Sequence, residues 1–382
     1  MSEPTAPPAP EFIPAARPLV GEQERAAVDR VLRSGMLAQG PEVAAFETEF
    51  AEALVGGRRC VAVNSGTSGL HLGLLAAGIG PGDEVVVPSF TFAATANSVA
   101  LTGARPVFAD IDPVTFCLDP AAVQASLTER TAAIMPVHLY GHPADLDGLG
   151  ALASRHGIRL FEDAAQAHGA SWRGAPVGSF GEIAMFSLYP TKNMTSGEGG
   201  MVACATEEIA RTVRLLRNQG MERQYANEVV GFNARMTDIH AAIGRVQLGR
   251  LAEWTRRRQD NAAYLTAGLA GLAGVRVPVV ATEATHVWHQ YTIRVEVGVG
   301  GGAQRDRMVA ALREEHGVGT GVYYPIPNHR LPSLAPFAPG LELPETERAA
   351  AEVISLPVHP SLTPAQLERI VTGVVAVATA GG

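Results

Sequence analysis

Apolar positions along this chain follow two alternating periods. From Glu22 to Ser34, Ala26, Ala27, Val28, Val31 and Leu32 share one helical face, and the run stops at Gly35. A second helix is predicted over Pro41 to Leu54, opened by proline in its first turn and closed by Gly56-Gly57. The strand-like run Arg59 to Val63 then leads through Asn64-Ser65-Gly66-Thr67-Ser68-Gly69 into an apolar helix from Leu70 to Ala77. Further short apolar runs predict strands at Glu84 to Pro88, Arg105 to Asp110, Ala132 to Val137, Arg159 to Asp163, Ile183 to Ser187 and Gly200 to Cys204. Between them lie helices at Ala93 to Leu101 and Asp145 to His156, and after them one at Glu207 to Asn218. Repeated βα units of this length predict an α/β fold with a mostly parallel seven-stranded sheet covered on both faces. Ligands sit at the carboxyl ends of such strands, where Gly66-Thr67, Asp163 and Ser187 through Lys192 all fall.

After Asn233 the pattern changes. Thr237 to Leu269 reads as one long helix, a form that often bridges two domains. Strands near Tyr291 to Val297, a helix from Arg305 to His316 and another from Pro364 to Ala378 make a smaller α+β unit. The expected division is a flexible proline- and alanine-rich tail at 1–18, a large α/β domain at 19–250 and a small α+β domain at 251–382. The tail lacks the basic and apolar regions of a signal peptide, and no apolar run reaches the eighteen or so residues that span a bilayer.

Composition narrows the classes of function. A net charge of −8 argues against nucleic-acid binding through bulk charge. Cys60, Cys117 and Cys204 are distant, odd in number and set in apolar runs, so core thiols and a cytoplasmic setting are expected. Among the thirty Lys and Arg positions, Lys192 is the only lysine. It alone can lose a proton and form an imine, chemistry closed to a guanidinium.

Other signals carry less. The run Gly298-Val299-Gly300-Gly301-Gly302 lacks dinucleotide-binding spacing and reads as a loop. No Gly-Lys pair offers a P-loop. His138 and His142 stand four apart, but Gly141 and Pro143 break the helix a zinc pair would need, and no metal site is expected. The triplet Arg256-Arg257-Arg258 reads as a solvated helix face. The small-residue turn at 64–69, placed between strand and helix, suits an anion such as phosphate, though many βα units have one. Asp163 is the right kind of residue to hold the ring nitrogen of pyridoxal phosphate protonated, which a lysine imine needs to be useful; taken by itself it reads first as a cap for the helix from Ala164.

The segments Ser65-Gly66-Thr67-Ser68-Gly69, Glu162-Asp163-Ala164-Ala165-Gln166-Ala167-His168-Gly169, Ser187-Leu188-Tyr189-Pro190-Thr191-Lys192 and Gly231-Phe232-Asn233-Ala234-Arg235-Met236 resemble signature segments of the DegT/DnrJ/EryC1/StrS family of sugar aminotransferases. Pro88 to Phe92, Pro136 to Gly141 and Tyr324 to Pro327 extend the resemblance through nearly all of residues 15 to 375. It implies the type I fold of pyridoxal-phosphate enzymes and a homodimer with shared active sites.

On that resemblance Lys192 is the Schiff-base lysine and Asp163 the partner of the pyridinium nitrogen. Gln166 approaches the ring hydroxyl, and Phe92 stacks on the ring. Gly66, Thr67 and Ser187 hold the phosphate with Asn233 from the other subunit. Core packing for Phe92 and a turn for Asn233 are the plain rivals. Arg235, Tyr324 and His329 are candidate substrate contacts, although Tyr323 and the Asn328-His329-Arg330 loop depart from the commonest family pattern. The implied reaction moves an amino group from glutamate or glutamine, through pyridoxamine phosphate, to a nucleotide-linked keto-deoxysugar. Gln166, where other members have histidine, points to 3-keto sugars; 4-keto sugars, a keto-cyclitol, or a non-catalytic cofactor-binding regulator are the alternatives.

Overall fold

The computed structural model describes residues 11–296 and 302–380. Seven strands form the central sheet: β1 (Arg59–Val63), β2 (Glu84–Pro88), β3 (Arg105–Ala109), β4 (Thr131–Ile134), β5 (Arg159–Asp163), β6 (Ile183–Ser187) and β7 (Gly200–Cys204). Their order is β1-β7-β6-β5-β4-β2-β3. Only β7 runs against its neighbours, so the other six present their carboxyl ends along one rim.

Residue alternation along each strand sorts the core onto two faces. Val61, Val63, Ile183, Met185 and Val202 face α3 (Gly66–Ala76), α4 (Ala94–Leu101) and α7 (Glu207–Arg217). Cys60, Ala62, Ala184, Phe186, Met201 and Ala203 face α2 (Pro41–Leu54) and the first half of α8 (Asp238–Leu269), and α1 (Glu22–Ser34), α5 (Pro120–Ser126) and α6 (Leu146–His156) complete the helices up to α8. All three cysteines are buried and unpaired, as expected of core thiols. The helix after β1 starts at Gly66, not Leu70, because Ser65 caps it by accepting from the Ser68 N–H at 3.1 Å. The small residues read as a turn are therefore its first turn.

Helix α8 is the single long helix expected from the sequence, its first half in the large core and Ala262, Leu265 and Leu269 in a second core. That second core lies under an antiparallel sheet of Val275–Arg276, Tyr291–Val295 and Val353–Leu356. The tail does not extend to residue 18: Ile13 is fully buried in this core, and its N–H donates to Gly317 O at 2.9 Å. Residues 1–10 and 298–301 of the glycine run lie outside the described residues. Arg258 does not share the solvated face of Arg256 and Arg257. It is buried, and its Nη1 donates to the Trp288 and His289 carbonyls. No helix among the described residues is long and apolar enough to cross a membrane.

Candidate active site

At the rim, the end of β5 places Asp163 in a buried position. Its Oδ2 accepts from Thr95 Oγ1 of α4 at 2.8 Å and its Oδ1 from the Ala165 N–H at 3.1 Å. Burial pushes its carboxyl above the usual carboxylate range, although those two bonds and the Lys192 charge act the other way. Among the described residues it forms no ion pair. A cationic group placed against it would favour its anionic form.

The chain leaving β6 turns back on itself, Lys192 N–H donating to Tyr189 O at 3.0 Å, and brings the lysine near that carboxylate. Burial lowers the amine to about 8, with Asp163 opposing. Around it, Asn193 Nδ2 donates to Val287 O at 2.9 Å, and His289 Nδ1 lies 3.3 Å from Asn193 Oδ1. His168 is buried against Phe186, and burial takes its imidazole down to about 3, so it adds no charge beside the lysine.

The first turn of α3 meets the end of β6. A Cβ on Gly66 would stand 3.0 Å from Ser187 Cβ and 3.3 Å from its Oγ, so glycine lets the two segments touch. The N–H groups of a helix's first turn have no partner within the helix. The Ser68 N–H is taken by Ser65 Oγ, while the Gly66 and Thr67 N–H groups beside Ser187 Oγ make a corner suited to an anion.

Gln166 is buried; its Oε1 accepts from the Tyr140 N–H at 2.7 Å and its Nε2 donates to Tyr324 Oη at 3.1 Å. Phe92 is 60% exposed, its ring 6.2 Å from that of Tyr324, so it is not a core residue. The fold thus gathers Gly66, Thr67, Phe92, Asp163, Gln166, Ser187, Lys192 and Tyr324 along one rim. Asn233 and Arg235 flank Ala234 beside the end of β1, where Val63 bridges Arg235 and the Asn64 N–H donates to the Ala234 carbonyl at 2.9 Å. Asn233 is exposed, and Arg235 Nη1 donates to Asn218 Oδ1 at 3.0 Å. His329 is removed as a substrate contact. It is buried with both ring nitrogens engaged, Nδ1 with Ser89 Oγ at 2.7 Å and Nε2 with Glu347 Oε1 at 3.0 Å. His138 and His142 serve separate partners: His138 Nε2 lies 3.2 Å from Glu162 Oε2, and His142 Nε2 accepts from the Ala281 N–H. Thr95 and the Tyr140 backbone were not singled out from the sequence, where a threonine in an alanine-rich helix has no distinguishing neighbour.

The amine, the carboxylate lacking a cation and the anion-binding corner fit a ligand with an aldehyde, a protonated ring nitrogen and a phosphate. Fold and fit together make this a pyridoxal-phosphate-dependent enzyme of the type I fold. The comparisons agree. The sequence matches the DegT/DnrJ/EryC1/StrS aminotransferase family over residues 18–375. It is 44% identical to a dTDP-3-amino-3,4,6-trideoxy-alpha-D-glucose transaminase from Streptomyces venezuelae, over 91% of this chain and 90% of that one. The solved structure of S. venezuelae DesV in complex with a ketimine intermediate superposes with a TM-score of 0.88 at 43% identity, covering 93% and 94% of the two chains. The PLP form of the "putative sugar aminotransferase Spr1654" from Streptococcus pneumoniae gives 0.91 at 27% identity, covering 97% and 100%. The chain belongs to the DegT/DnrJ/EryC1/StrS family and is a sugar aminotransferase.

Proposed function

We propose that this enzyme moves an amino group from glutamate or glutamine to a nucleotide-linked 3-keto-deoxysugar. The observation that carries the transfer is the buried Lys192 amine beside Asp163. Gln166, held as an amide at the position where other family members have histidine, supports the 3-keto preference, and so does the 3-amino product in the name of the S. venezuelae relative.

When bound, pyridoxal phosphate supplies a conjugated electron sink for charge developing on a substrate carbon. The residues supply the rest. Asp163 as an anion holds the ring nitrogen protonated, and Thr95 and Ala165 N–H keep its two oxygens in place. The α3 N-terminus and Ser187 Oγ take the phosphate. Lys192 Nζ holds the cofactor between turnovers. When free, with a pKa near 8, it is partly neutral at physiological pH and takes a proton from the amino donor's α-carbon, then returns one in the sugar half.

The enzyme acts as a homodimer in this reading, with Asn233 reaching the phosphate of the neighbouring subunit. Support comes from the apolar surface around Asn233, where Tyr225 is 87% and Val230 91% exposed, flanked by exposed Val229 and Phe232. The two-domain division, hinged on α8, belongs to the same reading. Assaying nucleotide-linked 3-keto and 4-keto sugars with glutamate tests the function; amination at C4 alone would overturn the 3-keto assignment.

A further inference from the structure

Arg258 is a buried cation that meets no carboxylate among the described residues. Its guanidinium stays charged at physiological pH. Nη1 donates to the Trp288 and His289 carbonyls at 3.1 and 3.4 Å, while Nε is buried without a partner and Nη2 makes no hydrogen bond among the described residues. Burial brings its pKa down to about 10, and no acidic group lies close enough to raise it. A buried charge is tolerated where it is paired, and backbone carbonyls supply dipoles but no countercharge.

The guanidinium borders a cavity of about 20 Å³, which Ala15 and Ala16 of the N-terminal arm line together with Thr191, the residue before Lys192. A volume of that order takes one guest the size of a water or a small ion. His359 lines the same cavity, and its Nε2 is also buried and unpartnered. Its Nδ1 lies 2.9 Å from Ser361 Oγ; with that hydroxyl donating, Nε2 carries the ring proton. The Pro14 carbonyl is near the ring but closes no hydrogen bond with Nε2. Burial, with the Arg258 and Arg17 charges adding to it, takes this imidazole down to about 4, so it offers a neutral donor. Helix α8 sets both groups, because Asn261, three residues after Arg258, donates from Nδ2 to the His359 carbonyl at 3.0 Å. Charge around the cavity has one sign: Arg258 and Arg17 are felt at His359, and Lys192 and Arg258 at His289, which also lines it. A second cavity of about 20 Å³ on the guanidinium, bordered by Arg17 and Trp254, has no buried unpartnered nitrogen but Arg258's own among the described residues.

We infer that Arg258 and His359 bind one small monovalent anion, of the size of chloride, in the cavity beside the N-terminal arm. The inference does not depend on the aminotransfer reading. The anion ties α8 and the arm to the Lys192 loop, so it stabilises the native chain. Holoenzyme is unfolded thermally in sodium chloride and in sodium gluconate of equal ionic strength, gluconate being too large for the cavity. Arg258→Met removes the charge and keeps a long apolar stem, and comparing it with wild type cancels general salt effects. The excess of Tm in chloride over Tm in gluconate should be larger in wild type by about 2–4 °C and should saturate with chloride. Should Arg258→Met fail to fold, His359→Phe carries the same comparison. Wild-type holoenzyme crystals grown in bromide locate the ion, with an anomalous peak expected within hydrogen-bond distance of Arg258 and His359 Nε2. An equal excess in wild type and variant would overturn the inference, and a bromide peak would then mark an adventitious ion only. A bromide map with no peak in this cavity would overturn it as well.

Discussion

Thr95 Oγ1 donates to Asp163 Oδ2 at 2.8 Å, tying the first turn of α4 to the end of β5. The bond favours the anionic form of a carboxyl that burial drives toward neutrality. Thr95→Val keeps the shape and removes the donor. A hydrogen bond to a charged group contributes about 1.5–3 kcal/mol, so cofactor affinity should fall by about 10- to 100-fold. Equilibrium dialysis of pyridoxal phosphate against wild type and variant checks this. Unchanged affinity would mean that Asp163 needs no support from α4.

Lys192 carries a pH prediction. Its amine is lowered from 10.5 to about 8 by burial, so in the cofactor-free protein the reactive neutral form increases as pH rises toward 8 and is nearly complete above it. The rate of reconstitution with pyridoxal phosphate should rise about tenfold per pH unit below 8 and then level off. An unburied lysine would still be climbing at pH 9.5. The linkage has the same sign: between about 8 and 10.5 the unfolded chain binds more protons at this site than the native one, so its contribution to stability grows with pH in that window. Because Lys192 is the only lysine, borohydride reduction of holoenzyme should leave one pyridoxyl-lysine, and Lys192→Arg none.

Gly200 opens β7 directly behind the first turn of α3, where the proposed phosphate site lies. A Cβ there would lie 2.6 Å from the Ser65 carbonyl oxygen and 3.0 Å from Gly66 N, backbone atoms that cannot swing away like a side-chain tip. Gly200→Ala should therefore push the first turn of α3 off Ser187 and cost about 1–3 kcal/mol of stability. Thermal unfolding reads the cost. The displacement itself is read by comparing pyridoxal phosphate with pyridoxal: the variant should lose affinity for the first and little for the second.

The parts of the site that could be read from sequence were those carried by contiguous stretches. Lys192 stood out by chemistry, Asp163 by its place at a strand end, and Gly66-Thr67 by the strand, small-residue and helix succession. What stayed hidden depends on contacts between distant segments. Thr95 and Asp163 are 68 positions apart, and nothing local separates a threonine that braces a carboxylate from one that fills a core. His329 looked like a substrate ligand because it follows the Tyr324 loop. Only the approach of Ser89 and Glu347 shows both nitrogens spent. Arg258 looked solvated beside two other arginines, but neighbours on a helix point about 100° apart, and the third turns toward the carbonyls of Trp288 and His289. Ile13 was absorbed into a proline-rich tail, since a single apolar residue has no period to reveal its burial.

Sharing of the active site between subunits is tested by mixing two damaged chains. Asn233 is exposed in the single chain and makes no side-chain hydrogen bond among the described residues, while the neighbouring Ala234 carbonyl accepts from the Asn64 N–H at 2.9 Å, beside the turn into α3. If Asn233 serves the other subunit's phosphate, Asn233→Asp places a negative charge against that phosphate and should disable both sites of a homodimer. Lys192→Ala disables both by removing the imine. In a mixed dimer, one site combines both defects and the other combines an intact lysine with an intact asparagine. Random reassociation of equal amounts should therefore restore about a quarter of wild-type turnover. If Asn233 acted within its own chain, every site in the mixture would carry one defect and no activity would return, so the recovered fraction separates the two arrangements.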